Sequence, residues 1–264
     1  MGLDSVLRAM APGAGPLDFL SLLVAATLVL VVTIVGTGLF LEVMNARHPE
    51  LKVQRHRVNS RKWQELAYAP VSVLTTSLCF TAGLFAQTQG WTLAPLELSW
   101  WSVPLMFVIN LVLYDAWFYW VHRLLHWRPM MRFHLVHHAS LVPTCWSNHH
   151  DSLLDSFVFQ FYFTLIVFVL PIPWPVLVAY KIFDEIIGMV GHSGYEHFAS
   201  PLARTPWPLS STVFHDQHHS HFRYNYAQTF SSWDRWMGTL YPGYDAAVAD
   251  FEPEAVKRRT ASAD

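Results

Sequence analysis

The sequence predicts an all-α fold: a multi-span transmembrane helical bundle of about four spans, with a histidine-rich helical cap that holds metal on the cytoplasmic side. Three observations predict it. The 264 residues are 53% hydrophobic and only 14% charged, which excludes both a disordered chain and an ordinary soluble domain. Uncharged runs long enough to cross a hydrocarbon core recur along the chain. Thirteen of the fifteen histidines fall between residues 122 and 221. Two cysteines, Cys79 and Cys145, are too few for a disulfide framework or a cysteine metal cage. A net charge of -2 gives no electrostatic reason for a nucleic-acid partner, and none is expected.

The first span is the uncharged stretch Phe19 to Leu41, about 34 Å long as a helix. It is too long for a cleaved signal peptide, and only Arg8 precedes it. A second uncharged run extends from Ala67 to about Ala86, and a third from Trp100 through Tyr114 toward Val121. From Leu153 to Val190 the apolar text is too long for one crossing and is broken by Pro171, Pro173 and Pro175, so a helical hairpin is expected there. Trp100, Trp101, Trp117 and Trp120 near the ends of the third span suit either interfacial anchoring or the lining of a lipid pocket. The chain thus divides into an N-terminal transmembrane region, 1–121, and a histidine-rich region, 122–264, that includes the hairpin at about 153–191.

Lysine and arginine are retained on the cytoplasmic side of short connections. The loop after the first span carries Arg47, Lys52, Arg55, Arg57, Arg61 and Lys62, whereas residues 87 to 99 and 171 to 175 carry none. Arg123, Arg128 and Arg132 follow the third span. These place the histidine region and the tail from His192 in the cytoplasm, and the N-terminus outside on the strength of Arg8 alone. The expected location is the ER membrane or a bacterial inner membrane. The basic loop and Lys257, Arg258 and Arg259 read as topology signals or headgroup contacts.

His122 and His126 are four apart, His134, His137 and His138 follow, and His215, His218 and His219 repeat that i, i+3, i+4 spacing. On a helix such residues share a face, so each cluster presents two or three imidazoles together. Imidazole is a common ligand for zinc, iron, copper and nickel. Eight histidines exceed one tetrahedral zinc, and with His192 the nine suggest two metals. A bis-histidine haem bundle needs its histidines inside the spans, where this chain has almost none. A transporter needs polar ligands along a path through the bilayer, for which only Asn110, Asp115, Lys181, Asp184 and Glu185 are candidates.

His122-Arg-Leu-Leu-His126, His134-Leu-Val-His137-His138, His192-Ser-Gly-Tyr-Glu196 and His215-Asp-Gln-His218-His219 together resemble the fatty acid hydroxylase and sterol desaturase superfamily of membrane di-iron oxygenases. Asn225-Tyr226, Trp233-Asp234-Arg235 and Gly238-Thr239 resemble its closing segment. The resemblance, from about Asp115 to Tyr241, implies two iron ions, with zinc as a possible substitute in purified samples. It implies His122, His126, His134, His137, His138, His192, His215, His218 and His219 as ligands and catalytic residues. Where some relatives have a further histidine this chain has Glu196, with His197 one residue later; either is a candidate ligand, a neighbour of one, or a surface residue. His149 and His150 can orient a ligand or form a pocket rim, while His48, His56 and His221 are expected to stand apart from the metal.

Ligating imidazoles usually donate their second N–H to a carboxylate or carbonyl. Asp115, seven residues before His122, is one candidate for that role, and Asp184 and Glu185 are others; each can equally be a solvated interfacial acid. The implied activity is the hydroxylation or desaturation, with dioxygen, of an apolar lipid taken from the membrane, such as a sterol or fatty acyl chain. Some relatives carry a fused cytochrome b5 domain; here electrons are expected from a separate donor such as cytochrome b5 or ferredoxin with its reductase. The contrasting reading is a non-catalytic membrane protein that binds or transports metal.

Overall fold

A computed structural model describes residues 13–59 and 61–262; Arg8 lies outside them. The described residues form ten α-helices, three short 3-10 turns and no β-strand. Three helices are long and apolar enough to cross a membrane: α1 (Pro16–Arg47), α2 (Lys62–Thr88) and α3 (Ser102–Leu125). The short helix α4 (Met131–His138) follows, then α5 (Leu153–Val169), a shorter apolar helix, and α6 (Trp174–Gly191). The proline-marked hairpin is the α5–α6 pair, with Pro171 and Pro173 between the helices and Pro175 in the first turn of α6, where proline's missing N–H costs nothing.

Each long helix shows one face to the bundle. On α1 the buried positions are Leu22, Leu30, Ile34, Gly38 and Leu41, while Leu20, Leu28, Val32 and Phe40 stay exposed, as an apolar helix surrounded by lipid allows. On α2 the inward face carries small hydroxyl residues, Ser72, Thr75, Thr76, Ser77 and Thr81. Thr75 and Ser77 donate to carbonyls one turn back, at 2.8 Å each, which satisfies their hydroxyls within the helix. Small side chains let helices approach closely. At Gly83 the approach is extreme: a Cβ there would stand 2.2 Å from the Phe163 carbonyl oxygen of α5.

Lys181, Asp184 and Glu185 are buried on α6. Lys181 Nζ donates to Asp184 at 2.7 Å and lies 2.8 Å from Glu185, so one ammonium serves both carboxylates inside the bundle. Trp100, Trp101 and Trp120 are exposed, whereas Trp117 turns inward and its Nε1 donates to the Val158 and Phe159 carbonyls, both at 3.2 Å. An apolar core of Phe80, Leu84, Tyr114, Phe163, Leu177 and Tyr180 joins α2, α3, α5 and α6. The end of the bundle where α1, α3 and α6 finish is covered by α4, α7 (Thr212–His221), α8 (Ser232–Met237), α9 (Tyr244–Ala249) and α10 (Pro253–Ala261). A second core beneath them, around Tyr119, Phe214, Tyr226 and Tyr244, fixes the cap to the last turns of α3.

The closeness at Gly83 can be tested. Gly83→Val should destabilise the protein by about 1–3 kcal/mol, since overpacking forces the helices apart. Gly36→Val, where a Cβ meets nothing within 4 Å, should leave the melting temperature in detergent unchanged; equal effects at both sites would contradict the close α2–α5 packing.

Candidate metal centre

The repeated spacing and the helix geometry together sort the histidines. His122 is in the last turn of α3 and His126 caps it; α4 supplies His134, His137 and His138; His192 caps α6; α7 supplies His215, His218 and His219. The structure brings these nine into two adjacent sets. His122, His126, His134, His138 and His218 form one, and His137, His192, His215 and His219 the other; within each set the ligand atoms lie within 4.8 Å of one another and could hold a metal ion. On both α4 and α7 the residues four apart go to one set while the residue at i+3 crosses to the other. The His-x-x-His-His spacing therefore serves two sites from one short helix.

The orientation of the rings decides what they can bind. His122 Nδ1 donates to the Tyr226 carbonyl at 2.7 Å, His218 Nδ1 to the Tyr224 carbonyl at 2.6 Å, and His192 Nδ1 to the Gly188 carbonyl at 2.7 Å. His134 Nδ1 lies 2.8 Å from the Asp155 carboxylate and His137 Nδ1 3.0 Å from that of Asp151. A carbonyl or carboxylate oxygen only accepts, so the proton is on Nδ1 and the Nε2 lone pair is bare. Nε2 atoms face each other in both sets, at 3.1 Å between His122 and His134, where both lone pairs are bare, and at 3.2 Å between His137 and His192. Two bare lone pairs at that distance repel unless a cation sits between them. The donor set fits metal ions, and two nitrogens each about 2.1 Å from a shared ion are about 3.0 Å apart at a right angle.

Burial keeps these rings neutral. It pushes His134, His138, His192, His215 and His219 well below the usual histidine range, helped by neighbouring histidines, and takes His218 down to about 3. His126 is lowered for the same reason. For His137 burial acts in the same sense, but the Asp151 carboxylate outweighs it and raises the ring above its ordinary value.

The loop after α7 does the orienting. Asp234 accepts the N–H groups of Tyr226 and Ala227 at 2.8 and 2.9 Å and the Thr239 hydroxyl at 2.7 Å, which fixes the stretch whose Tyr224 and Tyr226 carbonyls hold His218 and His122. Asn225 in that stretch has a left-handed backbone, φ 59°, and its side chain ties Phe214 to Tyr241. Asp115 touches no histidine; its Oδ1 accepts from the Thr229 and Phe230 N–H groups at 2.8 and 3.2 Å and anchors the same loop to α3.

Several other expected residues stand elsewhere. Asp184 and Glu185 bond to Lys181, with Gln228 donating to Asp184 and His149 lying 3.4 Å from Glu185. His150 pairs with Ser140. His197 is outside both sets, since its ring is turned to Asn45 on α1 at 2.7 Å. Glu196 is buried and accepts the Val213 N–H at 2.9 Å in the first turn of α7, so it positions the helix rather than a ring. His48 meets Glu50, His56 is exposed, and His221 stacks on Tyr241. The partners that sequence reasoning missed are Asp151 and Asp155. Their signal was two acids four apart at the mouth of an apolar helix, directly after the second histidine cluster.

Two cavities meet at the histidines. One, about 60 Å³, is walled by His122, His134, His137, His192 and His215 together with polar Asn148, Gln160 and Gln228. The other, about 380 Å³, is lined largely by apolar Phe118, Phe183, Ile186, Ile187, Phe198 and Leu209 and shares His192 and His215 with the first. The larger cavity thus brings apolar side chains up to the edge of the histidine sets.

A family model described as Fatty acid hydroxylase matches residues 107–239, just over half of the chain. Among curated proteins, methylsterol monooxygenase 1 of Gallus gallus is 34% identical over 135 residues, 48% of this chain and 43% of that protein. Lathosterol oxidase of Homo sapiens is 32% identical over 127 residues, 48% and 42% respectively. A Delta(7)-sterol 5(6)-desaturase of Gibberella zeae is 29% identical over 140 residues, 53% and 38%. The matched stretch spans less than half the length of each of these relatives. No solved structure matches significantly.

The ion-free protein should lose stability in acid. Below pH 6.5 the unfolded chain takes up protons that the buried rings refuse, so their contribution is complete above 6.5 and falls as pH drops toward 3, by about 1.4 kcal/mol per pH unit for each ring; His137 acts in the opposite sense. Unfolding followed between pH 7.5 and 5 should show the midpoint falling steeply, and a flat profile would contradict the buried neutral set. Asp155→Asn should weaken metal retention about 10- to 100-fold, read by chelator competition, with the helical content unchanged.

Proposed function

The chain belongs to the fatty acid hydroxylase family, and from that premise we propose that it is a membrane-bound di-iron oxygenase that hydroxylates or desaturates an apolar lipid with dioxygen and external electrons. The observation that carries this reading is the convergence of nine imidazole nitrogens into two adjacent sets, with Nε2 atoms facing one another in each. Zinc has no redox chemistry, so an all-histidine pair of sites used on a C–H bond calls for iron or a comparable metal. The nine histidines are proposed as its ligands: His122, His126, His134, His138 and His218 around one ion, His137, His192, His215 and His219 around the other. Held there, the irons supply the dioxygen chemistry that no side chain of this protein provides.

The chain's own groups do the rest. The apolar cavity beside α6 admits the lipid from the bilayer and keeps water away from the rings. Carbonyls of Tyr224, Tyr226 and Gly188 hold three rings in the tautomer that presents Nε2. Asp151 and Asp155 do so for His137 and His134, and add negative charge near the ions. For hydroxylation, one oxygen atom enters the C–H bond and the other leaves as water, consuming two electrons and two protons. Methylsterol monooxygenase and lathosterol oxidase are names of relatives, and they support a sterol or similar polycyclic lipid as the first substrate to try. The basic residues of the 47–62 loop support a cytoplasmic site. Metal transport is disfavoured because Asp184 and Glu185, although they line the small cavity at the rings, are both tied to Lys181.

Purified protein should carry two irons per chain and consume oxygen only when a lipid substrate and a reductant are both present. His137→Ala should abolish uptake, and lipids extracted from cells making the wild type should contain an oxidised species missing from cells making the variant. Tight zinc with no uptake in the presence of a competent reductase would overturn the reading.

A further inference from the structure

A cleft of about 760 Å³ opens beside the C-terminal end of α7. Its walls are the 53–57 loop, Ser220 and His221 after the last two metal-facing histidines, and parts of α9 and α10. Its charge is lopsided. Arg55, His56, Arg57, His221 and Arg259 face Asp250 alone among carboxylates.

Arg204 and Arg235 each hold a carboxylate, at 2.6 Å, but among the described residues Arg55, Arg57 and Arg259 have none within ion-pair distance. Arg259 donates only to the backbone carbonyls of Asp250 and Glu50, at 3.1 and 2.9 Å. Arg55 and Arg259 both lie against the Phe251 ring, each with its guanidinium carbon 5.4 Å from the centroid. Unpaired guanidiniums held at a fixed place attract a multivalent anion.

Position narrows the occupant. The cleft is walled by the helix that sends His218 to the five-histidine set and His215 and His219 to the four-histidine set. Phe222, next to His221, lies against the His138 ring with centroids 4.6 Å apart. The exposed tryptophans, Trp63, Trp127, Trp207 and Trp236 among them, lie elsewhere, and no residue lining the cleft is an exposed large apolar side chain. A surface of that kind faces water rather than acyl chains.

We propose that this cleft docks an acidic electron-carrier protein, which delivers its electrons at the end of α7; the proposal rests on the oxygenase reading above. At each docking the carrier is oxidised by one electron. Two dockings furnish the two electrons that, with two protons from water, balance one dioxygen against one hydroxylated C–H bond and one water.

The test uses the metal-loaded full chain in phosphatidylcholine nanodiscs, titrated separately with an acidic plant-type ferredoxin and with a soluble cytochrome b5. At least one should bind, with Kd rising about tenfold or more between about 0.05 and 0.3 M salt, as screening predicts. Arg55→Glu/Arg57→Glu should weaken binding at low salt at least about tenfold, and Arg55→Gln/Arg57→Gln by less, while metal content and the rate at which dioxygen reoxidises the dithionite-reduced, desalted protein stay at wild-type levels. Binding of neither carrier, or equal binding by wild type and variants, overturns the docking site. So does an unchanged carrier affinity with lost adhesion to phosphatidylserine vesicles, which assigns the arginines to the bilayer. A reduced, desalted protein that dioxygen does not reoxidise is a failure of the oxygenase reading; reoxidation by dioxygen without carrier binding is a failure of the docking site alone.

Discussion

Bare imidazole lone pairs forced together in a dry pocket are the constraint on which the rest of this structure depends. The His122 and His134 Nε2 atoms are 3.1 Å apart with both Nδ1 protons committed elsewhere, an arrangement that only a cation relieves. Each surrounding feature keeps it in place. Backbone carbonyls on the loop after α7 fix two rings, the end of α6 fixes a third, and acids at the mouth of α5 fix two more. Asp234 and Asp115 hold the loop, and Glu196 holds α7. The cap is thus a scaffold for Nδ1 acceptors, and its second apolar core makes that scaffold stiff.

The helices were legible because lipid demands long uncharged runs. The uncharged run from Ala67 to Ala86 lies inside α2, the run from Trp100 through Tyr114 enters α3 at Ser102, and the three prolines end α5 and start α6. The convergence of nine histidines was legible too, because i, i+3 and i+4 positions share a helix face. Spacing could not show how they divide. One face is wide enough for either partition, and the choice of His137 for the second set depends on where α6 ends, a fact of tertiary packing.

The carboxylate partners were misplaced for the same reason. Asp115 has the right helical phase relative to His122, yet about two turns separate a residue from its phase-mate seven positions on, and the Thr229 and Phe230 N–H groups fill its reach instead. Asp155 lies twenty-one residues from His134 in sequence and 2.8 Å away in space. Only the packing of α4 against the start of α5 makes them neighbours. His197 shows the converse: its nearness in sequence to His192 counts for nothing once the chain turns at Gly194, φ 72°, and presents the ring to Asn45.

The two cavities state the division of labour in physical terms. A membrane enzyme must admit an apolar substrate without admitting water, and must supply charge without leaving it unpaired in hydrocarbon. The apolar cavity lies beside α6, whose other face buries Lys181, Asp184 and Glu185 as a mutually bonded set. Gln228 bridges the two environments: its amide donates to Asp184 at 3.1 Å, and its side chain lines both cavities. The loop that carries Gln228 is the one that Asp115 and Asp234 anchor and whose carbonyls orient His122 and His218. One short segment therefore couples ring orientation to the wall of the apolar cavity, so a displacement that enlarged the cavity would also turn two rings out of line.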